Sequence, residues 1–341
     1  MGSTFRLALR GLAVIGASLA AVPALANDST AELATGGLVF VKNPNVTMRS
    51  EDLFVSTGQI QVTYRFYNNS DQKVTNLVAF PMPDITFDNP DANIAIPTED
   101  PVNFLGFATT ADGAPVATQV EQKAIANGID QTALLKSLGI PLAPQSPATS
   151  KALDALPKDK WQQLINLGLA AIDEYGTTPD LQMQQHLEPR WTLKTTYYWQ
   201  QTFPPRRELV IRHQYKPSVG ASAGSLIGTS LAEDDRDYAA KYCIDSAFVA
   251  AATRVQQAAK QNPSRYVSEE RIDYILKTGA NWDGPIAEFK LTVDKGRPAN
   301  LVSFCGNGVR KVSPTRFQVD YTNFTPTSDL AVLILVPMTA Q

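Results

Sequence analysis

The side chains that could do chemistry are few and far apart. The chain has two histidines, His186 and His213, and two cysteines, Cys243 and Cys305. Catalysis asks for a nucleophile with its base, a metal with open coordination, or a cradle for a cofactor. The sequence contains no His-Glu-x-x-His pair, no Gly-x-Ser-x-Gly elbow, no phosphate-binding loop and no dinucleotide fingerprint. His213 stands between Arg212 and Gln214 in an alternating segment. It reads as a strand histidine with a bonded ring nitrogen, set against a catalytic or ligand role. His186 follows Gln184 and Gln185 in a polar stretch and reads as a surface residue.

Two acidic clusters have the oxygen chemistry that calcium requires. Asp88, Asn89, Asp91 and Asn93 form one; Asp234, Asp235 and Asp237 form the other. Calcium takes six to eight oxygens, and neither cluster carries the glycine and closing glutamate of a calcium loop. Both read as solvated turns, so neither a metal nor a cofactor is expected. Cys243 and Cys305 read as a structural disulfide, with a metal-binding or catalytic thiol as the competing reading.

The remaining candidates are aromatic. Trp191, Tyr197, Tyr198 and Trp199 crowd one β segment. Neighbours on a strand face opposite ways, so Tyr198 and Trp199 cannot both be buried if one face is wet. Trp191, Tyr198 and Trp199, with His213, are therefore the candidate contacts for a ligand or partner; packing against a helical insertion is the alternative. Trp282 sits in a tight corner, Asn281–Pro285, and could plug the end of a sandwich.

The elements that must position these residues are mostly strands. From Gln59 to Phe66 apolar and polar residues alternate, as they do from Glu208 to Tyr215. Asn68–Asp71 is turn chemistry. Asp112-Gly113, between apolar runs at 103–109 and 114–120, signals a hairpin. From about Glu121 the period becomes helical, with Ala124, Ile125, Leu134, Leu135 and Leu138, then Trp161, Leu164, Ile165, Leu169 and Ile172. Strands resume at Thr192, and 217–232 reads as a loop. Beyond Cys243 a helix capped by Asp245 or Ser246 shows the stripe Phe248, Ala251, Ala252, Val255, Ala259. Strands follow at 272–277, 286–293, 301–305, 316–321 and 330–336.

These patterns predict a mainly β chain with a helical insertion, α+β overall, in two β-sandwich-like domains. The expected layout is a signal peptide at 1–26, a first domain at 27–220 with its insertion at about 121–190, a linker at 221–240, and a second domain at 241–341 that opens on a helix. The leader is read from Arg6 and Arg10, the apolar run Leu12–Val22, Pro23, and the small-x-small triplet Ala24–Ala26. Its apolar run is too short to span a bilayer, and no span is expected in the mature chain. Periplasmic localisation follows as an expectation, with full secretion as the alternative. The chain is mildly acidic, with a net charge of −3 at pH 7, so nothing in its charge points to nucleic acid.

Several longer motifs together carry a resemblance. Asn27–Phe40, Met48–Leu53, Tyr64–Asn68, Ala79–Pro83, Thr278–Trp282 and Ser303–Cys305 resemble an exported bacterial family, domain-of-unknown-function family 4424. The likeness runs across nearly the whole mature chain. It implies export and a largely β body, and brings no catalytic residues with it. The order of motifs in the first domain also resembles the vault and inter-alpha-trypsin inhibitor domain, which implies an interaction module. The expected function is non-catalytic binding of an envelope protein or a glycan. A hydrolase using Asp/Glu pairs and a structural or chaperone-like envelope component are the alternatives.

Overall fold

The computed structural model describes residues 28–34, 37–86, 93–176, 183–228 and 236–339. The expected leader, the cluster at Asp88–Asp91, and Asp234 and Asp235 lie outside them.

Period-two alternation builds the centre. In the strand Ile60–Asn68, Ile60, Val62, Tyr64 and Phe66 are buried while Gln61 and Arg65 are exposed. Asn68 then fixes the turn that follows: its amide donates to the carbonyls of Gln72 (2.8 Å) and Phe203 (3.0 Å), and its oxygen accepts from the Ser70 N–H (2.9 Å). The strand Glu208–Tyr215 runs antiparallel beside it, with Ile211 opposite Tyr64. Asp112 and Gly113 turn the predicted hairpin with φ of 48° and 83°. Two successive positive φ values match the twist of the flanking strands.

Among the described residues the strands form four sheets, and the chain is mainly β with helices added, as predicted. The largest has eight strands, in the order 310–311, 316–324, 286–294, 46–55, 60–68, 208–215, 108–111, 114–116. A seven-stranded sheet runs 129–130, 119–126, 192–203, 74–81, 29–34, 37–41, with 85–86 also paired to 192–203. A five-stranded sheet runs 301–304, 330–339, 265–274, 219–222, 93–95. A separate hairpin joins 170–175 to 184–189.

The sheets cross the division expected at 221–240. Val46–Val55 and Ile286–Asp294 pair in parallel, with Glu288 opposite Ser50 and Val293 opposite Val55. Val219–Ser222 likewise pairs with Arg265–Tyr274. Buried residues from both halves, among them Phe66, Trp282 and Phe289, share one core. The segment at 221–240 thus joins strands that return to common sheets.

The helical insertion is shorter than the period suggested. Helices occupy Thr132–Ser137, Pro147–Asp154 and Lys158–Asn166, and they bury Leu135, Leu153, Trp161 and Leu164. Residues 119–126 instead form a strand, with Ala124 and Ala126 buried, and 170–175 and 184–189 supply the separate strand pair. The run at 103–109 is extended only from Ala108. Asn103 explains this: its side chain accepts from the Phe107 N–H (2.8 Å) and donates to the Phe107 carbonyl (3.2 Å), closing a turn in which Gly106 has φ of 60°.

In the C-terminal half, Asp245 caps the helix Ser246–Lys260 by accepting from the Phe248 N–H at 2.7 Å. Phe248, Ala252 and Ala259 pack over Val267, Leu333 and Leu335 of the five-stranded sheet. Cys243 and Cys305 are joined by a disulfide, with Cα atoms 5.0 Å apart. It ties the turn ahead of this helix to the end of the strand Leu301–Phe304.

Candidate functional site

A groove of about 750 Å³ opens between the eight-stranded and five-stranded sheets near the disulfide. One side is built by alternation. Phe289 and Leu291 turn inward from Ile286–Asp294, and Phe317, Val319 and Tyr321 from the neighbouring Arg316–Phe324. Asn323 adopts φ of 51°, which interrupts the alternation and brings Phe324 to the same cluster. The ring centres of Phe289 and Phe324 are 4.7 Å apart, and those of Tyr321 and Phe324 are 5.0 Å apart. Phe289 is buried, while Phe317, Tyr321 and Phe324 are half-buried and keep part of their surface open.

The opposite side is Val302, Ser303, Phe304 and Leu330, with both cysteines beside them. The Ser303 hydroxyl donates to the Tyr242 carbonyl at 2.9 Å, which adds a second tie alongside the disulfide. The Tyr321 hydroxyl accepts from the Asn307 N–H at 2.7 Å and pins the loop that follows Cys305. Asn307, Thr327, Ser328, Asp329 and Asp245 supply a polar rim.

The two rim carboxylates already have structural work. Asp245 caps the helix, and Asp329 accepts from the N–H groups of Leu276 (3.0 Å) and Lys277 (3.2 Å). Burial pushes the carboxyls of Asp28 and Glu270 above their ordinary range, with His213 and Arg297 respectively drawing them back. Neither acid lines the groove. Among the described residues no three His, Cys, Asp or Glu side chains are placed to hold a metal ion. No helix among them is long and apolar enough to cross a membrane.

The residues singled out from sequence lie elsewhere. Trp191 is fully buried and its Nε1–H donates to the Leu142 carbonyl at 2.8 Å, anchoring the insertion to the sheet. Trp199 is 3% exposed and donates to Gln201 Oε1 at 3.2 Å. His213 is also buried, with Nε2 2.9 Å from Asp28 Oδ1 and the rings of Tyr64, Phe80, Phe107 and Trp199 around it. These three side chains are closed off from solvent. Tyr198, on the opposite face from Trp199, is half-buried. His186 is not on the surface either: its Nδ1 is 2.7 Å from Asp154 Oδ2 and its ring stacks on Tyr175 at 4.1 Å. Trp282 does plug the core, with Nε1–H donating to the Asp28 carbonyl at 2.5 Å.

Sequence reasoning missed the aromatic set of the groove. Its signal was there, in the spacing of Phe317, Val319 and Tyr321, but the same spacing describes any half-buried strand.

The family model described as Domain of unknown function (DUF4424) matches residues 26–333. No curated protein matches the chain. Among solved structures, the chain is similar to a provisionally named nutrient binding protein from Legionella pneumophila. The identity is 17% and the TM-score 0.43, over 91% of this chain and 70% of that one. It is also similar to an M1 zinc metallopeptidase from Deinococcus radiodurans (10% identity, TM-score 0.21, 86% of this chain and 43% of that one). A two-domain M1 zinc metallopeptidase variant bound to L-tryptophan matches at 9% identity and a TM-score of 0.22, over 86% of this chain and 44% of that one. The chain spans less than half the length of either peptidase.

Proposed function

This chain belongs to the DUF4424 family, and on that footing we propose that it is an exported periplasmic binding module whose aromatic groove takes an envelope glycan. Export is supported by the leader-like residues 1–26 and by the disulfide, which persists in oxidising compartments. The observation that carries the binding reading is the pairing of half-buried aromatic rings with a polar rim on a fixed frame. Phe317, Tyr321 and Phe324 offer flat apolar surface, while Asn307, Thr327 and Ser328 stand beside them. A sugar has the same two-sided character, with C–H groups that pack on a ring and hydroxyls that bond to the rim. The disulfide and the Ser303 and Asn307 bonds hold the walls before any ligand arrives, which lowers the ordering cost of binding.

The test is calorimetric titration of the mature, disulfide-bonded protein with soluble neutral and N-acetylated oligosaccharides. Binding is expected, and Phe324→Ala is expected to weaken it about tenfold, the effect of losing one aromatic anchor worth about 1.4 kcal/mol. Absence of saccharide binding, or equal affinity in the variant, would remove the proposal. Cleaved sugar in the titrated sample would replace it with the hydrolase reading. Cell fractionation that leaves the uncleaved precursor in the cytoplasm would remove the export part.

A further inference from the structure

A second, smaller cavity of about 210 Å³ lies where residues from the two halves of the chain meet. We infer that it binds a small amphipathic zwitterion of the amino-acid class, separately from the glycan groove.

The space has room for a small molecule of amino-acid size.

The lining sets the chemistry. Met82, Ile85, Phe104 and Leu105 give it an apolar floor suited to an aliphatic side chain. Its charged groups come in balance: Lys241 and Arg271 against Asp84 and Asp273. Each already has a partner. Lys241 Nζ is 3.1 Å from Asp273 Oδ1, Arg271 Nη1 is 2.9 Å from Glu269 Oε2, and Asp84 Oδ2 is 2.7 Å from Lys194 Nζ. A ligand with one net charge would strengthen one sign and repel the other. A zwitterion can exchange with both, setting its carboxylate toward Lys241 and Arg271 and its ammonium toward Asp84 and Asp273.

One hydroxyl in the lining is uncommitted: Ser218 Oγ is shut from solvent and has no hydrogen-bond partner among the described residues. A buried hydroxyl left unbonded is costly, and nearly all are satisfied in folded proteins. A polar headgroup that reaches Ser218 would satisfy it. Position supports the same reading, since pockets with a few convergent polar groups concentrate where parts of a fold meet.

The experiment is a titration of the mature, disulfide-bonded protein with L-leucine, with leucinamide, which keeps only the positive charge, and with N-acetyl-leucine, which keeps only the negative. Leucine is expected to bind at least tenfold more tightly than either analogue. Ser218→Ala, checked for native circular dichroism, is expected to weaken leucine several-fold. Phe324→Ala, which acts on the groove, is expected to leave leucine unaffected. Failure of leucine to bind, equal affinity for a singly charged analogue, or wild-type affinity in Ser218→Ala would overturn the inference.

Discussion

Replacing His213 with leucine is expected to cost the fold about 3–5 kcal/mol at neutral pH, the usual loss when one partner of a buried hydrogen-bonded pair is removed and the other is left unsatisfied. Neither the His213 nor the Asp28 side chain has any solvent exposure. Around them sit other polar groups in fixed relations. The Trp282 Nε1–H donates to the Asp28 carbonyl, and the hydroxyls of Tyr64 and Tyr274 lie 3.0 Å apart. Burial raises Tyr64 and Tyr274 well above the ordinary tyrosine value, so both hydroxyls stay protonated and available as donors. Such a network is stable when each member keeps its partner and expensive when one is lost.

The pH dependence has a definite sign. Burial raises the Asp28 carboxyl, and His213 opposes that rise by charge and hydrogen bond. An acid raised in the folded state holds its proton more tightly there than in the unfolded chain. Its contribution to stability is therefore full below the unfolded value of 3.8 and is lost as pH rises through the folded value. Without His213 the folded value climbs further and the loss at neutral pH grows. The His213→Leu defect should shrink as pH falls toward 4, because Asp28 can then enter the core uncharged. Adding Asp28→Asn to His213→Leu should recover part of the stability at pH 7. Urea unfolding at pH 7 and 4.5 reads all of this. An equal loss at both pH values, or one under about 1 kcal/mol, would contradict it.

The second large effect concerns the bridge. Changing Cys243 and Cys305 together to serine is expected to cost roughly 4 kcal/mol in the chain-entropy account, for a sequence separation of 62 residues. The consequence reaches beyond stability, since both cysteines line the aromatic groove. With the wall released, the loop after Cys305 loses its covalent tie and leans on the Asn307–Tyr321 bond and the pairing of 310–311 with 317–318, and saccharide affinity should fall with stability. Unfolding and binding measured on wild type with and without reductant should reproduce the double variant. A serine variant within about 1 kcal/mol of wild type would show that the loop is closed by packing alone.

Much of the local structure was legible in the sequence. The alternation at Ile60–Asn68 and Glu208–Tyr215, the positive-φ turn at Asp112-Gly113 and the Asp245 cap all follow from short-range chemistry, and the disulfide from there being two cysteines in all. His213 was readable as a strand histidine with a bonded nitrogen, but its partner Asp28 lies 185 residues away, beyond any local signal. The same limit explains the sheets. Periodicity tells which side of Val46–Val55 is apolar, and says nothing of its parallel partner Ile286–Asp294. Trp191 and Trp199 looked available because aromatic side chains serve both cores and interfaces; only the insertion and sheet packed over them show which role they took. The groove was hidden for the converse reason. Phe317 and Tyr321 carry the pattern of a covered face, and it is the arrangement of the two sheets that leaves them partly open.

The binding claim is tested most directly by amide hydrogen exchange on the mature protein, with and without saturating oligosaccharide. The account predicts new protection confined to residues 303–309, 316–324 and 327–330, with the Trp191–Trp199 strand unchanged. Protection at Tyr198 and its neighbours, or none at any segment while saccharide is bound, would contradict it.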